Sequence, residues 1–155
     1  MLALVGAGLL AQRWHEEKAK VDRGGAVIAV TRNFLSALTN FQSSTIGSDV
    51  ARIRSYAVGD FADQVSQFFG QEAIKNIQDA QARSVGHVQS VFVQRLSGAT
   101  ATVFGVVNEV VTNKSSPTPT SEVVRLNVQM IETAAGWKVS NVEILQSPGA
   151  TPLGG

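Results

Sequence analysis

Apolar and polar residues alternate along two neighbouring stretches near the end of the chain. Val124, Leu126, Val128 and Met130 interleave with Arg125, Asn127 and Gln129, and after the break Thr133-Ala134-Ala135-Gly136 a second run extends from Trp137 to Leu145. A period of two marks a half-buried strand. Two such runs around a short Gly-containing break predict a β-hairpin. Within the second run the apolar phase slips from Trp137 and Val139 to Val142 and Ile144, which predicts a bulge near Ser140-Asn141 and a bent sheet.

The same period predicts two earlier strands. Val85 to Leu96 places Val91 and Val93 on one face and Phe92 on the other; Ser97-Gly98 turns the chain. Ala99 to Asn113 is apolar on both faces, with Thr102, Phe104 and Val106 on one and Val103, Gly105, Val107 and Val111 on the other, so it should be a central strand covered twice. Lys114 to Ser121 contains Pro117 and Pro119 and reads as an exposed loop, because proline cannot donate to a ladder.

Before Ala82 the period is near 3.6. Val27, Ile28, Val30, Phe34, Leu35, Leu38 and Phe41 form one apolar helical face. Arg23-Gly24-Gly25 should break or kink the helix in front of it. Ser48 or Asp49 can cap a second helix, and Asp60 a third that carries Phe61, Val65, Phe68 and Phe69. Residues 71–82 continue helically, as a prolongation of the third helix bent at Gly70. Helices followed by strands imply an α+β fold, with N-terminal helices on the concave face of a strongly curved antiparallel four-stranded sheet.

Met1 to Ala11 carries no charge. Leu2, Leu4, Val5, Leu9 and Leu10 lie there among Ala and Gly, and Trp14 follows beside Arg13. As a helix this stretch covers roughly 16 Å, about half a bilayer core. A secretory apolar region would need a basic start, and an amphipathic helix would need a polar face. The preferred reading is the outer half of a membrane anchor, with Trp14 at the interface. The expected organisation is then residues 1–23 as partial anchor and connector, 24–146 as the globular domain, and 147–155 as a disordered Pro/Gly-rich tail.

Composition narrows the chemistry. The 155 residues suffice for one domain with a core. The 13 basic and 12 acidic residues give a net charge of +1 and form no cationic face, which argues against nucleic acid as a partner. With no cysteine, disulfides and thiolate metal sites are excluded. His15 and His87 have no ligand-spaced partner, so no metal or cofactor is expected. Ser43-Ser44 and Ser115-Ser116 lack a nucleophile elbow. Asp60 and Asp63 read as helix-start residues, and Arg52, Arg54 and Arg125 as surface partners. Glu109, between Val107 and Val111, is the one carboxylate that a closed cavity could turn into an acid or base. No catalytic residue is assigned.

Helices leading into a bent sheet that closes with Gly136-Trp137-Lys138-Val139-Ser140-Asn141-Val142-Glu143 resemble the NTF2-like superfamily over residues 25–146. A narrower resemblance, to the Mce-associated membrane proteins of actinobacteria, follows three features. These are an apolar start leading to Phe34-Leu35-Ser36-Ala37-Leu38-Thr39-Asn40-Phe41, a Ser/Pro/Thr loop, and the Val124-Arg125-Leu126-Asn127-Val128 strand. That resemblance implies a non-enzymatic accessory or scaffold subunit of an Mce-type lipid importer in the cell envelope. It implies a single membrane pass, with the C-terminal domain extracytoplasmic. Partners would be other subunits of the lipid-transport complex. The expected partner face is the second face of the sheet, around Val103, Gly105 and Val107, with self-association as the alternative occupant. Two other readings stand beside it: a small-molecule isomerase or cyclase of the same fold using Glu109, and an assembly factor of a type IV secretion or conjugation system.

Overall fold

A computed structural model describes residues 3–146 of the chain, with side chains from Arg13 to Leu145. The fold is α+β, with helices laid on a strongly curved antiparallel sheet, as expected from the change of period. Helix α1 (Ala3–Thr39) is followed by a two-residue strand β1 (Phe41–Gln42), and then by three short helices, α2 (Ile46–Tyr56), α3 (Asp60–Phe68) and α4 (Gln71–Asp79). Strands β2 (Arg83–Ser97), β3 (Thr100–Asn113), β4 (Ser116–Thr133) and β5 (Gly136–Gln146) complete the chain. The described residues form one five-stranded sheet in sequence order, not four strands, because β1 pairs with the start of β2 through Phe41–Ser84 and Gln42–Arg83.

Helix α1 corrects the first expectation. It runs unbroken through Arg23-Gly24-Gly25 for 37 residues, about 55 Å. A glycine costs a helix only about 1 kcal/mol, and packing beyond it outweighs that. Arg23 is tied down by Glu132 at 2.8 Å, by the Gly98 carbonyl, and by Trp137, whose ring centre lies 5.8 Å from its guanidinium. Residues 13–22 are exposed, so this part of α1 projects from the domain. The second part, from Val27 to Thr39, is the core helix: Val27, Phe34 and Leu35 are fully buried.

Two glycines let α1 lie against the sheet. A Cβ on Gly105 of β3 would come within 2.6 Å of Leu35 Cδ1. One on Gly86 of β2 would come within 1.9 Å of Thr39 Oγ1 and 3.2 Å of the Thr39 carbonyl oxygen. The face around Val103, Gly105 and Val107 is therefore occupied by α1 itself and is not a partner face: Val103 and Val107 are fully buried. Because both faces of β3 are apolar in sequence, alternation alone does not say which turns inward. The side facing out carries the half-buried Phe104 and, paired with it, Phe92, which is 59% exposed.

The predicted bulge is present. Gln129 pairs with Asn141 and Met130 with Val139, so Ser140 is the extra residue. Two further irregularities bend β2, at Gln89 and Gln94. The loop expected from Lys114 to Ser121 is a tight turn that leads directly into β4. Val111 pairs with Thr120 and Asn113 with Ser116, leaving Pro117, Thr118 and Pro119 opposite Thr112. The prolines fall within that irregularity, where a missing N–H breaks no regular ladder.

Helix boundaries also shift. α2 begins at Ile46, and Asp49 lies inside it, accepting hydrogen bonds from the Thr45 hydroxyl (2.7 Å) and the Gln42 N–H (3.3 Å) instead of capping. Asp60 is the first residue of α3, and Gly59 holds the cap position with φ +59°. α4 is a separate helix and not a prolongation of α3. Leu2 and residues 147–155 lie outside the described residues, as do the side chains of Leu4, Val5, Leu9 and Leu10. Trp14 is 77% exposed on the projecting part of α1. Among the described residues, no helix is long and apolar enough to cross a membrane.

Candidate functional site

The concave face of the sheet is closed at one end and open at the other. Phe34 of α1 closes the first, meeting the rings of Tyr56 and Phe61 edge-on at 6.0 Å each. Leu126, Val128 and Met130 of β4 and Val139 of β5 lie fully buried behind it. Trp137, 7% exposed, and Val139 close the β5 side, and the parallel bridge from Ala57 to Val139 ties α2 to it. Trp137 also faces Arg23 of α1, so this packing helps to hold the helices on the sheet.

At the other end the helices leave a cavity of about 350 Å³. Its roof is α3 with the residue that follows it, through Phe61, Val65, Phe68 and Phe69. Its walls are Leu38 and Thr39 from the end of α1, Val124 and Leu126 of β4, and Val142 and Ile144 of β5. The amphipathic spacing of α3 places its apolar side here, and the Ser140 bulge turns Val142 and Ile144 towards it. Phe68 and Ile144, 75% and 61% exposed, stand at the rim.

Three lining residues carry polar side chains: Thr39, Gln64 and Glu109. Glu109 is the carboxylate singled out in the sequence, and the structure places it, half-buried, in the cavity wall. Among the described residues it is the only titratable side chain of the lining. Its Oε1 lies 2.5 Å from the hydroxyl of Ser84, which is 2% exposed; that hydroxyl is also 2.8 Å from the Thr39 carbonyl oxygen. The Thr39 hydroxyl donates to the Leu35 carbonyl at 2.8 Å. In the sheet register Glu109 stands opposite Gly86 on one side and Glu122 on the other.

Ser84 also lines a second, polar recess of about 270 Å³ between β1, α2 and the start of β2. Asp49 and Arg52 within it pair with each other at 2.9 Å.

The other candidates stay apart from the cavity. His87 is exposed on the outer face opposite Asn108, and His15 on the projecting helix. Asp60 and Asp63 are exposed in the first turn of α3. Among the described residues no group of three His, Cys, Asp or Glu side chains could hold a metal ion. Ser84 and Thr39 were missed in the sequence. The available signal was Gly86, a small residue in a strand whose neighbouring backbone must admit a close approach.

Chemically, a cavity of this size with one carboxylate can hold a small molecule by its apolar body and one polar group. Among the described residues its lining has no second acid or base to complete a proton relay.

A family described as "Uncharacterized protein Rv1363c/MT1408-like" matches residues 1–146. The chain is 30% identical over 142 residues to "Outer membrane protein Rv1973" of Mycobacterium tuberculosis, covering 89% of this chain and 86% of that one. In fold it is similar to the VirB8 protein of Agrobacterium tumefaciens, with a TM-score of 0.65 at 8% identity, covering 84% of this chain and 96% of that one. It is also similar to CagV of Helicobacter pylori, described as a VirB8 homolog of the type IV secretion system, with a TM-score of 0.61 at 15% identity and coverages of 79% and 99%. At these identities the two structures bear on the fold alone.

Proposed function

The chain belongs to the Rv1363c/MT1408-like family, and from that premise we propose that it is a non-enzymatic assembly subunit of a multi-protein complex in the cell envelope. The observation that carries this reading is the fold shared with VirB8, with a TM-score of 0.65 over 84% of this chain. Two features support it. The continuous α1 joins an exposed, projecting segment to the core helix without a hinge, which suits a domain held at a fixed distance from an anchoring point. The naming of Rv1973 as an outer membrane protein supports an envelope location.

Two finer versions differ in the machine served. The fold supports a subunit of type IV secretion character, the reading set third by sequence. An Mce-type lipid importer rests on the sequence resemblance alone. Anchoring by the apolar start, with this domain on the extracytoplasmic side, belongs to both. The isomerase reading retains its cavity and its carboxylate, but among the described residues the lining supplies Glu109 without a second acid or base.

Affinity isolation of the tagged full-length chain from native envelopes after cross-linking tests the proposal. Recovery of other envelope proteins in fixed proportion is expected, and their identity separates secretion-type from importer subunits. Recovery of the chain alone, from cross-linked and untreated membranes alike, contradicts the proposal.

A further inference from the structure

We propose that the cavity beneath α3 binds a small cationic amphiphile, a protonated amine on an apolar body, with Glu109 receiving the ammonium group. This inference is independent of which complex the chain serves.

Size and lining set the apolar part. A cavity of about 350 Å³ is within the range of small-molecule sites, and its roof and walls are Phe, Val, Leu and Ile side chains from four elements. The rim is unusual for a packed domain, because Phe68 and Ile144 remain largely in water where an apolar occupant would cover them.

Hydrogen-bond inventory sets the head group. A serine hydroxyl has one hydrogen. Ser84 Oγ lies within hydrogen-bonding distance of two acceptors, Glu109 Oε1 and the Thr39 carbonyl, and can serve only one at a time. The Thr39 hydroxyl is committed to the Leu35 carbonyl, which leaves the Gln64 amide as the remaining side-chain donor among the described lining residues. Among the described lining residues none is cationic, so a charged donor to Glu109 is one that an occupant can supply.

Charge selects among donors. Glu109 and Glu122 are directly opposed on the inner face of β3 and β4. Like charges at such positions destabilise a sheet, and a cation beside them relieves the repulsion. Glu122 is itself engaged within the protein, which leaves Glu109 as the group that faces the cavity. An ammonium supplies both a donor and the opposite charge, an alcohol supplies only the first, and a carboxylate supplies neither.

The test uses the full-length chain and three probes of equal chain length below their micelle concentrations: octylamine, octanol and octanoate, followed by titration calorimetry. Octylamine should bind about tenfold or more tightly than octanol, since both can donate to Glu109 but only the ammonium adds the opposite charge, and octanoate should bind weakest. Glu109→Gln should remove most of the preference for the amine while leaving octanol within about threefold. Val142→Trp, which fills the cavity from a half-buried position, should abolish binding of all three while the thermal transition is retained. Absence of binding by octylamine overturns the proposal. So does octanoate binding as tightly as octylamine, or an amine preference that survives Glu109→Gln. If Val142→Trp does not fold, Phe68→Trp at the rim replaces it, and unaltered binding there counts against the site.

Discussion

The two ends of the concave face are built from the same kinds of side chain and packed to different degrees. Under α1, Leu35 rests on Gly105 and Thr39 on Gly86, closely enough that a single methyl group would collide. Under α3, the sheet and helix stand apart around a cavity of about 350 Å³. α1 meets the sheet where glycines lower its surface; α3 meets it where Val142 and Ile144 follow a bulge that bends β5. Curvature produced by Ser140 and by the two irregularities of β2 creates a concavity wider than one helix can fill. The filled end carries stability and the open end is available for binding.

That contrast is sharpest in stability measurements. Leu35→Ala should cost about 3–4 kcal/mol in urea unfolding, since it deletes a fully buried side chain and leaves a cavity in its place. Gly86→Ala should follow at about 2–3 kcal/mol, because Thr39 backbone as well as side chain must move. Gly105→Ala should cost about 1 kcal/mol; the atoms it meets are the ends of Leu35 and Leu126 side chains, which can turn aside. At the open end, Phe68→Ala should cost less than about 1 kcal/mol, most of it the edge-to-face contact with Phe69 at 5.0 Å. A cost at Phe68 equal to that at Leu35 would break the comparison.

The smallest effect lies outside both ends. The Asp79 carboxyl is held below the usual carboxylate range by its hydrogen bond from Lys75 and then by the charge of that lysine. A lowered folded-state pKa means a contribution present above the unfolded value and lost as pH falls through the folded one. The pair is exposed on α4, so Asp79→Asn should change stability only marginally at neutral pH and not at all at a pH below both values. Denaturant titrations at the two pH values read the difference.

Much of this architecture was legible in the chain. The change of period at Ala82, the phase slip at Ser140 and the apolar side of α3 each correspond to an observed element. Local patterns failed where the deciding partner lies far away in sequence. The glycines at 24 and 25 read as a break, but Trp137 and Glu132 hold Arg23 in line. Pro117 and Pro119 read as a loop, but register with Thr112 absorbs them into β4. Val103, Gly105 and Val107 read as a free face, because alternation names two faces without naming the one that α1 will cover. Glu109 was legible as a candidate; Ser84 and Thr39, which complete its surroundings, come from elements joined only by the fold.

Hydrogen exchange across the full chain, measured with and without octylamine, tests the division between the two ends most directly. In the free protein the amides of 27–39 and 101–107 should exchange slowly and those of 61–69 faster. Octylamine should slow exchange in 61–69 and 122–126 and leave 27–37 and 101–105 unchanged. Equal protection of α1 and α3 in the free protein, or slowing spread evenly over both, would contradict the account.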